Sequence, residues 1–290
     1  MNVMLPKFSR TQNNRIIFFL LVTFIWSWVS LGIALYCLKS GFVSNGVTYF
    51  IRFFFIGAYG PTISAIITTF LFEKSGALRA LLKRLLLWRA SFKTYLAIVA
   101  IPVLFMLFGI WIYDLFIGPI GDFSTGKVAL IPAMLGYGLF AGPMGEELGW
   151  RGYLLPKLLE KYSATKSSVI IGIIWATWHT PLFFGPTGAL VSNGDITFLN
   201  VSIYMLATIC LSYLFTSMSF QTNGSVLIAI LTHFSVNSAL PILFFPNLTS
   251  HENFLTVFNL AIIPLVPLTI YVAFKNTRRF KEYAESKPVF

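Results

Sequence analysis

The sequence predicts an all-α integral membrane protein with about eight transmembrane helices. Three observations carry that expectation. Of 290 residues, 57% are hydrophobic, 17% aromatic and only 11% charged, whereas soluble domains carry about 25% charged residues. Apolar runs recur along the chain, each near the ~20 residues that a helix needs to cross a bilayer. The basic residues cluster between those runs, mostly on alternate connections.

The runs, in order, are 16–38, 50–72, 94–117, 128–145, 167–184, 199–219, 225–245 and 255–274. The first follows a basic leader and is too long for a cleaved signal peptide, so it is expected to be a retained helix. The second holds Gly60-Pro61, which predicts a kink. The fourth is short and runs directly into Glu146-Glu147. The fifth meets His179-Thr180-Pro181, where proline can end it before a full crossing.

Charge counting tests this arrangement. One side receives Lys7, Arg10 and Arg15, then Lys74, Arg79, Lys83, Arg84, Arg89 and Lys93. It also receives Arg151, Lys157, Lys161 and Lys166, then Lys275, Arg278, Arg279, Lys281 and Lys287. The other side receives Lys39, Arg52 and Lys127. Eighteen against three predicts cytoplasmic N- and C-termini. It also puts Glu146, Glu147 and Arg151 at cytoplasmic helix ends. The net charge of +11 is therefore explained by topology, and a nucleic-acid partner is not expected.

The chain divides into helices 1–3 with their connections (1–127), a core (128–245), and a last helix with a basic tail (246–290). Within the first part, 76–90 is basic and amphipathic and is expected on the inner membrane surface. Cys37 and Cys210 lie in apolar runs, outside any ligand-spaced or redox motif.

Ionisable groups inside an apolar protein are costly, roughly 2.5–3.5 kcal/mol each on insertion scales. Three places carry them: Gly145-Glu146-Glu147-Leu148-Gly149-Trp150-Arg151-Gly152, His179 with Trp175, and His233 with Asn237. Glu147 and Arg151, Trp175 and His179, and His233 and Asn237 are each four apart, so each pair shares a helix face. Gly142, Gly145, Gly149 and Gly152 allow close helix approach. The expectation is one interior cavity to which helices 4, 5 and 7 each present polar groups.

These residue types suit amide hydrolysis. A carboxylate beside a histidine can take a proton from water. A second histidine and an asparagine amide can stabilise the oxyanion. The same residues also suit a zinc site, with Glu146 or Glu147, His179 and His233 as ligands and water in a fourth position. Spacing alone leaves both readings open. Taken singly, each pair has a structural explanation: an ion pair, a helix-end histidine, or polar glue between helices. His251 sits in a polar stretch and Asp114 near an outer helix end, and neither is assigned to the site. A rhomboid-like Gly-x-Ser-Gly is absent. Tyr113-Asp114 lacks a matching Gly-x-Gly-Asp, because the nearest stretch is Pro119-Ile120-Gly121-Asp122.

Glu146-Glu147-x-x-x-Arg151, Trp175-x-x-x-His179-x-Pro181 and His233-x-x-x-Asn237 together resemble the motifs of the CPBP family. That family comprises CAAX prenyl protease 2 (Rce1-type) enzymes and bacteriocin-processing or self-immunity (Abi) proteins. The resemblance covers about residues 128–240, with Trp175 where many members have Phe. It implies an eight-helix intramembrane endopeptidase acting on a membrane-associated peptide or protein. It implies Glu146 as general base, His179 as its partner in activating water, and His233 with Asn237 as oxyanion hole. Glu147 and Arg151 would hold the site in shape. Members are labelled metalloproteases or read as metal-independent glutamate proteases, so zinc stays open with a lean to the glutamate reading. The short N-terminus and small loops resemble bacterial members and imply a bacterial cell membrane. The competing readings are a non-catalytic immunity or scaffold protein with the same fold, and a transporter with a midplane ionic site.

Overall fold

The computed structural model describes residues 10–41, 45–120, 129, 131–185, 196–244 and 251–286. Among them all regular structure is helical. The elements are α1 (Arg10–Lys39), α2 (Gly46–Ala58), α3 (Gly60–Phe72), α4 (Ala77–Lys83, extended by a 3-10 turn Arg84–Leu86) and α5 (Phe92–Phe116). Then come α6 (Ile131–Phe140), α7 (Pro143–Glu147), a π-helix (Leu148–Leu154) and α8 (Leu155–Leu159). The chain closes with α9 (Ala164–Trp178, followed by a 3-10 turn Thr180–Phe184), α10 (Phe198–Gln221), α11 (Val226–Phe244) and α12 (His251–Ser286).

Among the described residues, six stretches are long and apolar enough to cross a membrane: Gln12–Lys39, Thr48–Phe72, Phe92–Phe116, Ala164–Phe184, Phe198–Gln221 and Asn253–Asn276. They coincide with the first, second, third, fifth, sixth and eighth expected runs. Val226–Ala239, within the seventh, is a shorter apolar helix. The fourth run is interrupted: α6 ends at Phe140, and the chain bends at Gly142 (φ −143°, ψ −84°) before α7 starts on Pro143. Its residues 128 and 130 lie outside the described residues, as do Lys7, Lys127, Asp122 and Lys287. Large apolar side chains such as Phe70, Leu104, Trp111, Phe116 and Phe198 are exposed on the surface, as expected where the solvent is lipid.

Local chemistry sets the element ends. Asn45, Ser91, Ser163 and Thr197 cap α2, α5, α9 and α10 by accepting from the backbone N–H three residues on. The kink expected at Gly60-Pro61 is the break between α2 and α3 at Tyr59, with Pro61 in the first turn of α3. Proline fits there because a first-turn N–H has no helical partner to lose. The fifth run does not stop at Pro181: α9 passes into the 3-10 turn, and Ala164–Phe184 is of crossing length.

The broken α2–α3 hinge is the seat of the polar motif. A Cβ on Gly145 would lie 2.5 Å from the carbonyl oxygen of Ala58, and one on Gly149 2.5 Å from that of Pro61. Backbone therefore packs on backbone, as the glycine spacing predicts for these two positions. The largest core cluster joins Phe19 of α1, Ala65 of α3, Trp150 of the π-helix, Trp175 of α9, Phe215 of α10 and Ile230 of α11. Charged groups gather at one end: Glu73 accepts from Arg15 and forms an ion pair with Lys157, both at 3.0 Å. Arg84 reaches from the 3-10 turn after α4 to the carbonyl oxygens of Arg151 (3.0 Å), Gly152 (2.6 Å) and Gly224 (2.7 Å). Three of the four basic segments expected on one side, at Arg15, Arg84 and Arg151–Lys157, thus meet in space.

Gly149→Ala should lower the thermal midpoint in detergent, at a cost of roughly 1–3 kcal/mol or more, because a backbone carbonyl cannot rotate away. Gly136→Ala, where nothing lies within 4 Å of the new Cβ, should leave the midpoint unchanged or raise it. Circular dichroism melts of the two variants beside the wild type check this.

Candidate active site

Glu146 and Glu147 are adjacent at the end of α7 and serve different partners. The Glu146 carboxylate is buried, and its Oε2 accepts from the indole Nε1–H of Trp175 at 2.6 Å and of Trp150 at 3.3 Å. Its other oxygen, Oε1, faces the space beside Gly142. Glu147 is fully buried, and its Oε1 accepts from Arg151 Nη1 at 3.0 Å and His233 Nδ1 at 2.8 Å. The Glu147–Arg151 pairing expected from the i, i+4 spacing is therefore present, reaching from the end of α7 into the π-helix. There Leu155 N–H bonds to the carbonyl of Trp150, five residues back. Such wide turns are often found at functional sites.

The fully buried Arg151 guanidinium lies against two aromatic faces, with Cζ 5.3 Å from the ring centre of Trp175 and 4.9 Å from that of Phe215. Cation–π contact supplements the ion pair where water is excluded. Trp175 also meets both histidines, with centroids 5.6 Å from His179 and 5.2 Å from His233.

His179 stands at the junction of α9 and its 3-10 turn. Its Nδ1 lies 2.8 Å from the carbonyl oxygen of Trp175, and a carbonyl can only accept, so Nδ1 carries the proton and Nε2 the lone pair. His233 Nδ1 donates to Glu147 by the same reasoning. Both rings thus keep Nε2 for the cavity.

Glu146, Trp175, His179, His233 and Asn237 all line one cavity of about 660 Å³. The three motif segments are brought together at its polar end, by α6–α7, α9 and α11. Its remaining walls are apolar and come from α2, α5, α10 and α12 as well, through residues such as Phe54, Ile101, Leu211 and Phe258. Glu147 and Arg151 sit behind this lining. Among the described residues, no three of His, Cys, Asp and Glu are grouped so as to hold a metal ion. Glu146, His179 and His233 are thus not grouped as a three-ligand set. Asp114 accepts from the backbone N–H of Ile120 at 3.1 Å, a local turn contact outside the cavity lining.

Three participants escaped the sequence reading. Trp150 donates to Glu146, a contact signalled by its position one turn on, at i+4. Gly142, grouped with the helix-contact glycines, instead faces the side chains of Asn237 and Glu146. Arg84 grips the carbonyls of Arg151 and Gly152, and nothing local in the sequence marks it.

Arg151→Ala should be strongly destabilising, by roughly 3–5 kcal/mol, since it leaves Glu147 buried with only His233. Arg151→Lys should recover part of this loss, because lysine restores the charge without the planar stack. Thermal unfolding of both variants in detergent measures the difference.

Residues 127–239 match the family model described as type II CAAX prenyl endopeptidase Rce1-like. The CAAX prenyl protease 2 of Methanococcus maripaludis is 34% identical over 122 residues, which is 40% of this chain and 41% of that relative. The match therefore spans less than half of the relative's length. The family segment contains Glu146, Glu147, Arg151, Trp175, His179, His233 and Asn237. Residues 127–239 are thus similar to the Rce1-like type II CAAX prenyl endopeptidases, over about two fifths of the chain.

Proposed function

We propose that this protein is an intramembrane endopeptidase that hydrolyses a peptide bond of a membrane-associated peptide or protein. The observation that carries this reading is the convergence of Glu146, His179, His233 and Asn237 on one largely apolar cavity. The family match supports it independently.

In this reading Glu146 takes a proton from a water molecule, with the His179 Nε2 lone pair as the second acceptor that orients it. The water oxygen attacks the scissile carbonyl carbon, and the carbonyl π pair moves onto oxygen. The Asn237 amide N–H and His233 Nε2–H receive that oxyanion. Because His233 Nδ1 already donates to Glu147, an Nε2–H requires a ring that holds both protons. Glu147 is then its counter-ion, as well as that of Arg151. Collapse of the intermediate breaks the C–N bond, and the proton held by Glu146 passes to the departing amine. A carboxylic acid and an amine result, with every proton accounted for.

The substrate proposal follows the relative's name, CAAX prenyl protease 2: a prenylated CAAX peptide is the first probe, and the apolar cavity walls suit a lipid-modified chain. Both termini and the charged end of the helices are proposed to face the cytoplasm, in a bacterial cell membrane.

The test is cleavage of a fluorescence-quenched prenylated CAAX peptide by purified protein in detergent. Glu146→Gln should lower kcat by about 10²–10⁴-fold or more with the thermal midpoint retained. Activity should persist in EDTA. A fully active Glu146→Gln variant would overturn the mechanism, and loss with chelator reversed by zinc would make the histidines metal ligands.

A further inference from the structure

Glu146 does not present its two oxygens equally. Oε2 takes two indole N–H donors, from Trp175 on α9 and Trp150 on the π-helix, at 2.6 and 3.3 Å. Oε1 is the oxygen turned toward Gly142. A Cβ built on Gly142 would lie 3.4 Å from Glu146 Oε1, 3.2 Å from Asn237 Nδ2 and 3.9 Å from His233 Nε2. That point is therefore within about one atom's reach of the base and of both oxyanion donors. It is open only because residue 142 has no side chain.

We infer that Trp150 and Trp175 form an indole clamp that fixes Oε2 and so selects Oε1 of Glu146 as the proton acceptor, aimed into the pocket that Gly142 keeps open. This rests on the hydrolytic reading above and deepens it. A carboxylate at the end of the three rotatable bonds of a glutamate otherwise turns, and either oxygen can face the substrate. Two donors from separate helices remove that freedom, and a base held in reacting geometry loses little entropy at the transition state. Trp175 couples the clamp to the rest of the site, because its ring packs against Arg151, His179 and His233. Phenylalanine at this position preserves much of that packing but has no N–H to give. The two tryptophans are positioning residues, and they act through Glu146.

The test is steady-state cleavage of the same peptide by Trp175→Phe, Trp150→Phe and Gly142→Ala, with thermal midpoints measured alongside. Trp175→Phe should lower kcat about 10- to 100-fold, the loss expected for one hydrogen bond to a charged group, with KM within about twofold. Trp150→Phe, which loses the longer bond, should lower kcat less. Gly142→Ala should lower kcat at constant KM by filling the pocket beside Oε1, while the control Gly136→Ala stays at wild-type rate. A Trp175→Phe or Gly142→Ala variant with wild-type kcat overturns the inference, as does a loss in which KM rises in proportion. A readout independent of turnover is the ¹⁵N–¹H indole resonance of Trp175, which should move upfield in Glu146→Ala. An unmoved resonance overturns the clamp. A wild-type protein that cleaves no peptide defeats the hydrolytic reading instead, and the indole resonance still decides whether the clamp exists.

Discussion

One oxygen atom organises the interior of this protein. Oε1 of Glu147 accepts from Arg151 Nη1 and from His233 Nδ1, with the carboxylate and the guanidinium fully buried. Each buried ion carries a desolvation penalty of several kcal/mol. The penalty is offset only if the charges meet with good geometry and further donors. The requirement is mutual: Arg151 needs the carboxylate, and the carboxylate needs α11 at one fixed distance. The ion pair therefore sets where the π-helix and α11 stand relative to each other, and so where His233 and Asn237 point. Cation–π contact with Trp175 and Phe215 extends the constraint to α9 and α10.

Such an arrangement needs backbones in close approach. Gly145 and Gly149 bring α7 and the π-helix against the carbonyls of Ala58 and Pro61. The hinge at Tyr59 provides the seat, because a continuous helix through Gly60-Pro61 would present a different surface. Arg84 closes the same region from the charged end, with donors to the carbonyls of Arg151 and Gly152. The two glutamates are thus held from three directions: by the hinge, by the α4 connection, and by the facing helices.

The cavity has two characters. Its polar end gathers Glu146, His179, His233 and Asn237, and its walls are mostly apolar. A low-dielectric surround strengthens every hydrogen bond at the polar end and makes any unpaired group there costly. Behind the lining, Glu147 Oε2 and Arg151 Nε and Nη2 are buried without a hydrogen-bond partner among the described residues, so the ion pair and the aromatic faces carry that charge. Glu146 Oε2, His179 Nδ1 and His233 Nδ1 are all committed to protein partners. Glu146 Oε1, the two Nε2 atoms and the Asn237 amide face the cavity.

The sequence by itself determined the helical class, six helices of crossing length close to their expected bounds, the hinge at Gly60-Pro61, and the pairing of Glu147 with Arg151. These are properties of one segment at a time: run length, proline placement, and i, i+4 neighbours on one face. The motif spacing also identified the residues that the cavity collects. Spacing alone left open which glutamate faces the cavity, and the motif resemblance assigned Glu146; adjacent residues on a helix point about 100° apart, and the packing puts Glu146 in the cavity lining with Glu147 outside it. Tertiary structure alone decided the π-helical turn, the 86-residue reach from Glu147 to His233, and the grip of Arg84. It also placed Gly142 against the site rather than against a neighbouring helix. Each of these depends on how backbones far apart in sequence are seated against one another, and local periodicity carries no record of that.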